Sequence, residues 1–180
     1  MMLELFYDAI SLAFVIVKYD LGPKSAMEFL ERVYSEDSEF LHPKYRKHKK
    51  EFFSDVLYWV DYLVDKVKLD REISGLERDF DSIGKELVRE NLMFDDSIPV
   101  FGLFFMEMRL QIRFLGKQNY VRMKLRTLLK NHGYKRRSTI IMNYVRDCLY
   151  FYHILLSLRG GEICDIREID LDDMITFRVC

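Results

Sequence analysis

"LRTLLKNHGYKRRSTIIMNYVRDCL", residues 125–149, decides how the C-terminal half folds. Leu125, Leu128 and Leu129 recur at helical spacing, and Gly133 suits the left-handed position just past a helix end. Ser138 is an N-cap type of residue, followed by Ile141, Val145, Leu149 and Tyr152 on one face. The pattern predicts helix, turn, helix. The turn sets Lys135, Arg136 and Arg137 directly ahead of Ser138. A helix start presents unbonded N–H groups and the positive end of the dipole, so three cations beside it can hold an anion. The same cations also serve as the wet end of a packed helix, or as a contact for an acidic protein surface.

Downstream, "LSLRGGEICDI" places Gly160 and Gly161 at a tight turn, and "IDLDDMITFRV" ends the chain as a turn and a strand. Between them Glu162, Asp165, Glu168, Asp170, Asp172 and Asp173 face only Arg167. That run is a solvated turn, or it folds back to compensate charge. Helix, turn, helix and a two-stranded ribbon is the order of a winged helix, a class that places its second helix in a DNA groove.

Upstream, "MEMRLQIRF" (106–114) alternates: Met106, Met108, Leu110, Ile112 and Phe114 against Glu107, Arg109, Gln111 and Arg113. After "LGKQN" the run "YVRMKLR" alternates again, with Val121, Met123 and Leu125 against Arg122, Lys124 and Arg126. The pair predicts a β-hairpin with one apolar and one basic face. A helix from Ser97 or Pro99 to Gly116 is the rival. It would set Glu107/Gln111 almost opposite Arg109/Arg113 and spoil its own apolar face, so the alternation favours the strand.

The charge distribution has the same polarity. Residues 1–100 hold 14 Lys+Arg against 21 Asp+Glu, and residues 101–180 hold 14 against 8, balances of −7 and +6 within a net −1. No acid lies between Glu107 and Asp147, an interval with 11 basic residues. Three cysteines, Cys148, Cys164 and Cys180, form no CxxC pair, so neither a zinc site nor a disulfide framework is expected, and the cytoplasm is the expected compartment. The apolar start "MMLELFYDAISLAFVIV" lacks a basic leader and falls short of the roughly 20 residues of a membrane span. It is expected to be a buried helix or one that packs on a partner chain.

The N-terminal half is expected to be a helical scaffold. Pro23 fits a first helical turn, followed by Ala26, Met27, Leu30, Val33 and Tyr34. Phe53, Val56, Leu57, Val60, Leu63, Val64 and Val67 then form an apolar stripe, and Ile73, Leu76, Phe80, Ile83 and Leu87 keep heptad spacing. A break near Asp70 would join them as a long antiparallel helix hairpin, about residues 50–68 against 71–90. Phe53, Val60, Ile73, Phe80 and Leu87 are its candidate partner or self-association surface. "KYRKHKK" (44–50) opposes a helix dipole and is expected in a loop or pre-helix turn, as a solvated run or a further nucleic-acid contact.

Residues 125–149 together with 169–179 resemble a small C-terminal module of bacterial restriction- and phage-defence-type proteins. The match is an apolar helix, a glycine, Arg136-Arg137, a second helix and an acidic-flanked strand; it implies a nucleic-acid-associated defence role and carries no catalytic residue. The aromatic "YFYHILL" (150–156) departs from that module, where a shorter polar linker belongs. A second resemblance, to the all-helical HEPN ribonucleases, rests on Arg146-Asp147 and His153. It implies histidine acid–base chemistry with arginine stabilising phosphate charge. Arg126 and His132 show nearly the same spacing, and no glycine-rich phosphate loop, HExxH or nucleophile elbow occurs.

The expectation is a mainly α (α+β) chain. Residues 1–96 form a helical interaction region, and residues 97–180 form a basic winged-helix-like region with a small antiparallel ribbon. The expected function is non-catalytic binding of nucleic acid, DNA ahead of RNA, with no cofactor, metal or membrane association. The candidate contacts are Arg109, Arg113, Arg122, Lys124, Arg126, Lys135, Arg136, Arg137, Ser138 and Arg146. A helical scaffold subunit is the second class and a ribonuclease the third.

Overall fold

The computed structural model describes residues 5–74 and 101–180. The chain divides into two compact units, Phe6–Ile98, and Met1–Leu5 with Pro99–Cys180.

In the first unit, α1 (Ala9–Lys18) is buried from Ala9 to Ile16, as its nearly unbroken apolar sequence requires. Asp8 starts it with a reciprocal cap: its carboxylate accepts from the Ser11 N–H at 2.8 Å, and the Ser11 hydroxyl accepts from the Asp8 N–H at 3.2 Å. α2 (Pro23–Glu36) opens on Pro23 and buries Ala26, Phe29, Leu30 and Val33. Two short 3-10 turns, Ser38–Phe40 and Pro43–Tyr45, lead into α3 (Lys49–Ser74). The buried Asp37 accepts from the Tyr7 hydroxyl at 3.1 Å, which satisfies both polar groups inside the core.

The basic run 44–50 lies mostly ahead of α3, and three of its five Lys and Arg charges meet the protein itself. Lys49 pairs with Glu31, Lys44 with Asp55, and Arg46 donates to the carbonyls of Leu41 and Glu39. α3 packs against α1 and buries Phe52, Val56 and Leu63, while Phe53 and Val60 are half-buried.

The break expected near Asp70 is corrected: α3 runs through it to Ser74, so no turn separates 68 from 71. Leu, Asp, Arg and Glu tolerate a helix interior, and neither glycine nor proline interrupts until residue 75. The rest of the expected second arm, with Phe80 and Leu87, lies outside the described residues.

The second unit is α+β. α4 (Phe101–Leu110) continues as one π-helical turn (Gln111–Leu115). β1 (Val121–Lys124), α5 (Leu125–Asn131), α6 (Thr139–Phe151), β2 (Ile154–Ser157) and β3 (Met174–Val179) follow. The strands form an antiparallel sheet in the order β1-β3-β2. Val121, Met123, Ile154, Leu156, Ile175 and Phe177 share one face, whose β2 and β3 members are buried, and Phe177 meets Phe105 of α4.

The expected strand at 106–114 is corrected to helix and π-turn. The charge that argued against a helix is absorbed inside: Arg109 is 2% exposed, and its guanidinium donates to the Tyr152 carbonyl at 2.7 Å. With α4 buried on nearly all sides, Arg109 needs no polar face. The π-turn closes with the Gly116 N–H on the Gln111 carbonyl, where a Cβ would stand 2.7 Å from that oxygen. Glycine is required there by close approach. The sheet therefore has three strands: the second half of the expected hairpin, Val121–Lys124, pairs with the last strand instead.

Candidate nucleic-acid interface

The turn between α5 and α6 is built as its sequence implies. Gly133 has φ +81°, the Tyr134 N–H bonds the Leu129 carbonyl, and the Gly133 N–H bonds that of Lys130. This double closure ends α5 in a Schellman motif. His132 and Tyr134 flank the glycine and both pack on Phe101, with ring centroids at 4.3 and 5.9 Å. The turn is thereby tied to α4. Ser138 then caps α6, its hydroxyl accepting from the Ile141 N–H at 3.3 Å. Val145, Cys148 and Leu149 point inward, and Ile140 and Tyr150 stand outward at 83% and 85% exposure.

Around this turn Arg126, Lys130 and Lys135 line a pocket of about 400 Å³ with Tyr134 and Leu171. These cations come from the first turn of α5, its last turn and the connecting loop. Lys135 and Arg136 are exposed, and among the described residues no acid pairs with Lys130, Lys135 or Arg136. Arg126 is answered: it forms a two-pronged bond to Asp172 at 2.9 and 2.7 Å. That bond holds the Asp172 carboxyl below its ordinary range. Arg137 donates to the Ile169 carbonyl at 2.7 Å. The acidic segment 162–173 thus folds back onto the basic turn at these two points.

The other expected contacts scatter. Arg109 is corrected from interface to core: it donates to the carbonyl of Tyr152, the C-cap of α6, where a cation complements the helix dipole. Arg113 is half-buried, its guanidinium over Phe114 at 5.3 Å. Arg122 and Lys124 are exposed on the outer face of β1, on the opposite side from Val121 and Met123 as the alternation implies, but the strand beside them is β3 and not 106–114. Arg146 is exposed on α6 and bonds Asp147 at 2.9 Å.

For the ribonuclease alternative, His153 stands beyond the end of α6 with φ +50°, and its carbonyl accepts from the Cys180 N–H. The three-stranded sheet departs from the all-helical architecture which that resemblance implies. Cys148 lies inside α6, and burial pushes its thiol up to about 12, far from the range of a nucleophile at neutral pH. Among the described residues no group of His, Cys, Asp and Glu gathers to hold a metal ion, and no helix is long and apolar enough to cross a membrane.

Lys130, Arg159 and Arg178 were not among the expected site residues. Lys130 sits in the acid-free interval. Arg178 shares the alternation of the last strand with Met174 and Thr176, a signal available in the sequence. No family model, curated protein or solved structure matches this chain, so its site stands on its own geometry.

Proposed function

We propose that the C-terminal unit is a winged-helix-like module that binds duplex DNA, and that the chain is a non-catalytic accessory or regulatory protein. The element order helix, strand, helix, helix, strand, strand supports this reading, as does a sheet with its last strand in the centre. The observation that carries it is the convergence of Lys130 and Lys135 on one concave surface at the interhelical turn, beside the Asp172-paired Arg126 and with Arg136 exposed next to it.

In this reading the turn cations and the N–H groups after Ser138 hold phosphate and set register. The outward face of α6, with Ile140 and Arg146, then meets the major groove. Membership of a bacterial defence complex rests on the residue pattern around Arg136-Arg137 alone.

The test is fluorescence anisotropy with a labelled duplex between roughly 50 and 200 mM salt. Affinity should fall with salt, and the double variant Lys135→Glu/Arg136→Glu should flatten the slope by about one for each phosphate no longer held, while the melting curve stays put. Arg137 is left intact because it holds the acidic segment. Absence of duplex retention at the lowest salt refutes the reading, and tighter binding of single-stranded RNA replaces DNA as the ligand.

A second reading, a helical interaction subunit, is favoured by α3, where Leu57, Tyr58 and Tyr62 are exposed together, Tyr58 at 64%. It predicts a concentration-dependent oligomer in light scattering that Tyr58→Ser/Tyr62→Ser abolishes. A monomer at every concentration opposes self-association.

A further inference from the structure

The outer face of the sheet carries a second basic concavity, independent of the interhelical turn. In register, Arg122 of β1 lies opposite Thr176 of β3, and Ser157 of β2 lies opposite the same Thr176 from the other side. One row of side chains therefore crosses all three strands. Arg178 stands two residues along β3 on that face, and Arg159 joins from the turn after β2. Among them opens a pocket of about 480 Å³ whose lining holds three arginines, two hydroxyls and no carboxylate. The segment that follows β2 is rich in acids, yet none of them lines this pocket.

Two of the guanidiniums are oriented by neighbours. Arg122 Nε donates to Thr176 Oγ1 and an Arg178 terminal nitrogen donates to Ser157 Oγ, both at 3.2 Å. Both also lie over the Tyr120 ring, at 4.8 and 5.7 Å from its centroid. Each contact uses one N–H of a planar fork and leaves the others available. Pre-oriented forks lose little side-chain freedom when a ligand arrives, and an anion among three guanidiniums relieves their mutual repulsion.

We propose that this pocket binds the terminal phosphoryl group of a small phosphorylated molecule. Arg122, Arg159 and Arg178 supply the charge, and the Ser157 and Thr176 hydroxyls complete the shell. Two features favour a small ligand over a nucleic-acid backbone. The pocket volume falls in the range of roughly 300–1,000 Å³ typical of small-molecule sites. A terminal phosphate carries a charge of about −1.5 to −2 at neutral pH, which suits three cations better than the single charge of a backbone diester.

The test is isothermal titration of the full chain with inorganic phosphate, with a nucleoside monophosphate, and with a dinucleoside monophosphate that has only a diester. Saturable one-to-one binding of either monoester-type probe is expected, with the diester weaker by roughly tenfold or more. Equal affinity for phosphate and nucleotide assigns recognition to the phosphoryl group alone. Tighter nucleotide binding adds the nucleoside, and both outcomes support the site.

Arg122→Gln and Arg178→Gln should each weaken binding by roughly tenfold. Arg159→Gln should do likewise, and because Arg159 is exposed at a turn its loss leaves the fold intact. Lys135→Glu/Arg136→Glu should leave phosphate binding unchanged, which separates this site from the DNA reading. No saturable binding at millimolar phosphate overturns the proposal. So does equal affinity for the diester, or the same affinity in all three arginine variants.

Discussion

Arg109 offers the sharpest test of how charge is used in the C-terminal unit. The sequence places it at the start of the acid-free basic stretch, where replacement should weaken nucleic-acid binding. The structure places it in the core, 2% exposed, with its guanidinium on the carbonyl of the residue that ends α6. Arg109→Met keeps most of the apolar stem and removes the bond. A hydrogen bond from a charged donor contributes about 1.5–3 kcal/mol, so a loss near ~2 kcal/mol is expected. Arg109→Ala also removes two buried methylenes, Cγ and Cδ, at about 0.8 kcal/mol each, which brings the loss to ~4 kcal/mol. Such a loss is a large share of the roughly 5–15 kcal/mol that holds a domain together. Urea denaturation followed by circular dichroism measures both variants. The midpoint should fall in the order wild type, Met, Ala with little change in slope. Duplex affinity per folded molecule should stay constant. A wild-type midpoint in Arg109→Ala, accompanied by weaker duplex binding, would refute the core assignment.

Four further outcomes follow from the same unit. Ser138→Ala should cost about 0.5–2 kcal/mol through the missing cap. Gly133→Ala should cost about 1 kcal/mol, because φ is +81° while no atom stands in the way of a methyl group, so equal melting temperatures for either variant count against the turn geometry. The three thiols should separate under a thiol reagent: exposed Cys180 reacts readily, and buried Cys148, held near 12, reacts only on unfolding. Prompt modification of all three in the native protein rejects that burial. Asp172 is held below its ordinary value of 3.8 by its bond to Arg126, so the pair's stabilisation is complete above that value and is lost as pH falls through the lowered native pKa. In Arg126→Gln the Asp172 carboxyl should titrate back toward 3.8 by carbon NMR, and an unmoved midpoint contradicts the pair.

The parts of the fold that local chemistry dictates were legible in the residues. The helix end at Gly133, the cap at Ser138, the turn at Gly160-Gly161 and the final strand each depend on a few neighbouring side chains, and each stands where they place it. The segment 106–114 was not legible, because its period of two is also compatible with a helix buried on nearly every side. Deciding between them requires knowing that Arg109 meets a helix end 43 residues away. The expected turn near Asp70 does not form, because a change in apolar spacing does not by itself end a helix that neither glycine nor proline interrupts. In the candidate site, Lys135 and Arg136 were visible as an acid-free run. The cluster of Arg122, Arg159 and Arg178 was hidden because strand pairing, not sequence spacing, assembles it.

The +6 balance of residues 101–180 is therefore divided by the fold instead of spread over it. Arg109 is committed to a helix end, and Arg126, Arg146 and Arg167 to Asp172, Asp147 and Asp165. Exposed pairs of this kind add little stability. Their effect is on the field: each cancels a cation that would otherwise attract a polyanion, and most of the acids involved come from the segment that folds back between β2 and β3. An anion approaching the interhelical turn meets Arg126 already answered, with Lys130, Lys135 and Arg136 paired to no acid among the described residues. An anion approaching the sheet meets three arginines and no acid. Clefts of one sign concentrate field lines, so these two places should dominate the attraction of anions even though the chain as a whole is nearly neutral. Their separation on different elements lets one be altered without the other. Neutralising the turn cations should leave the sheet-face field in place, and the converse should hold for Arg122, Arg159 and Arg178.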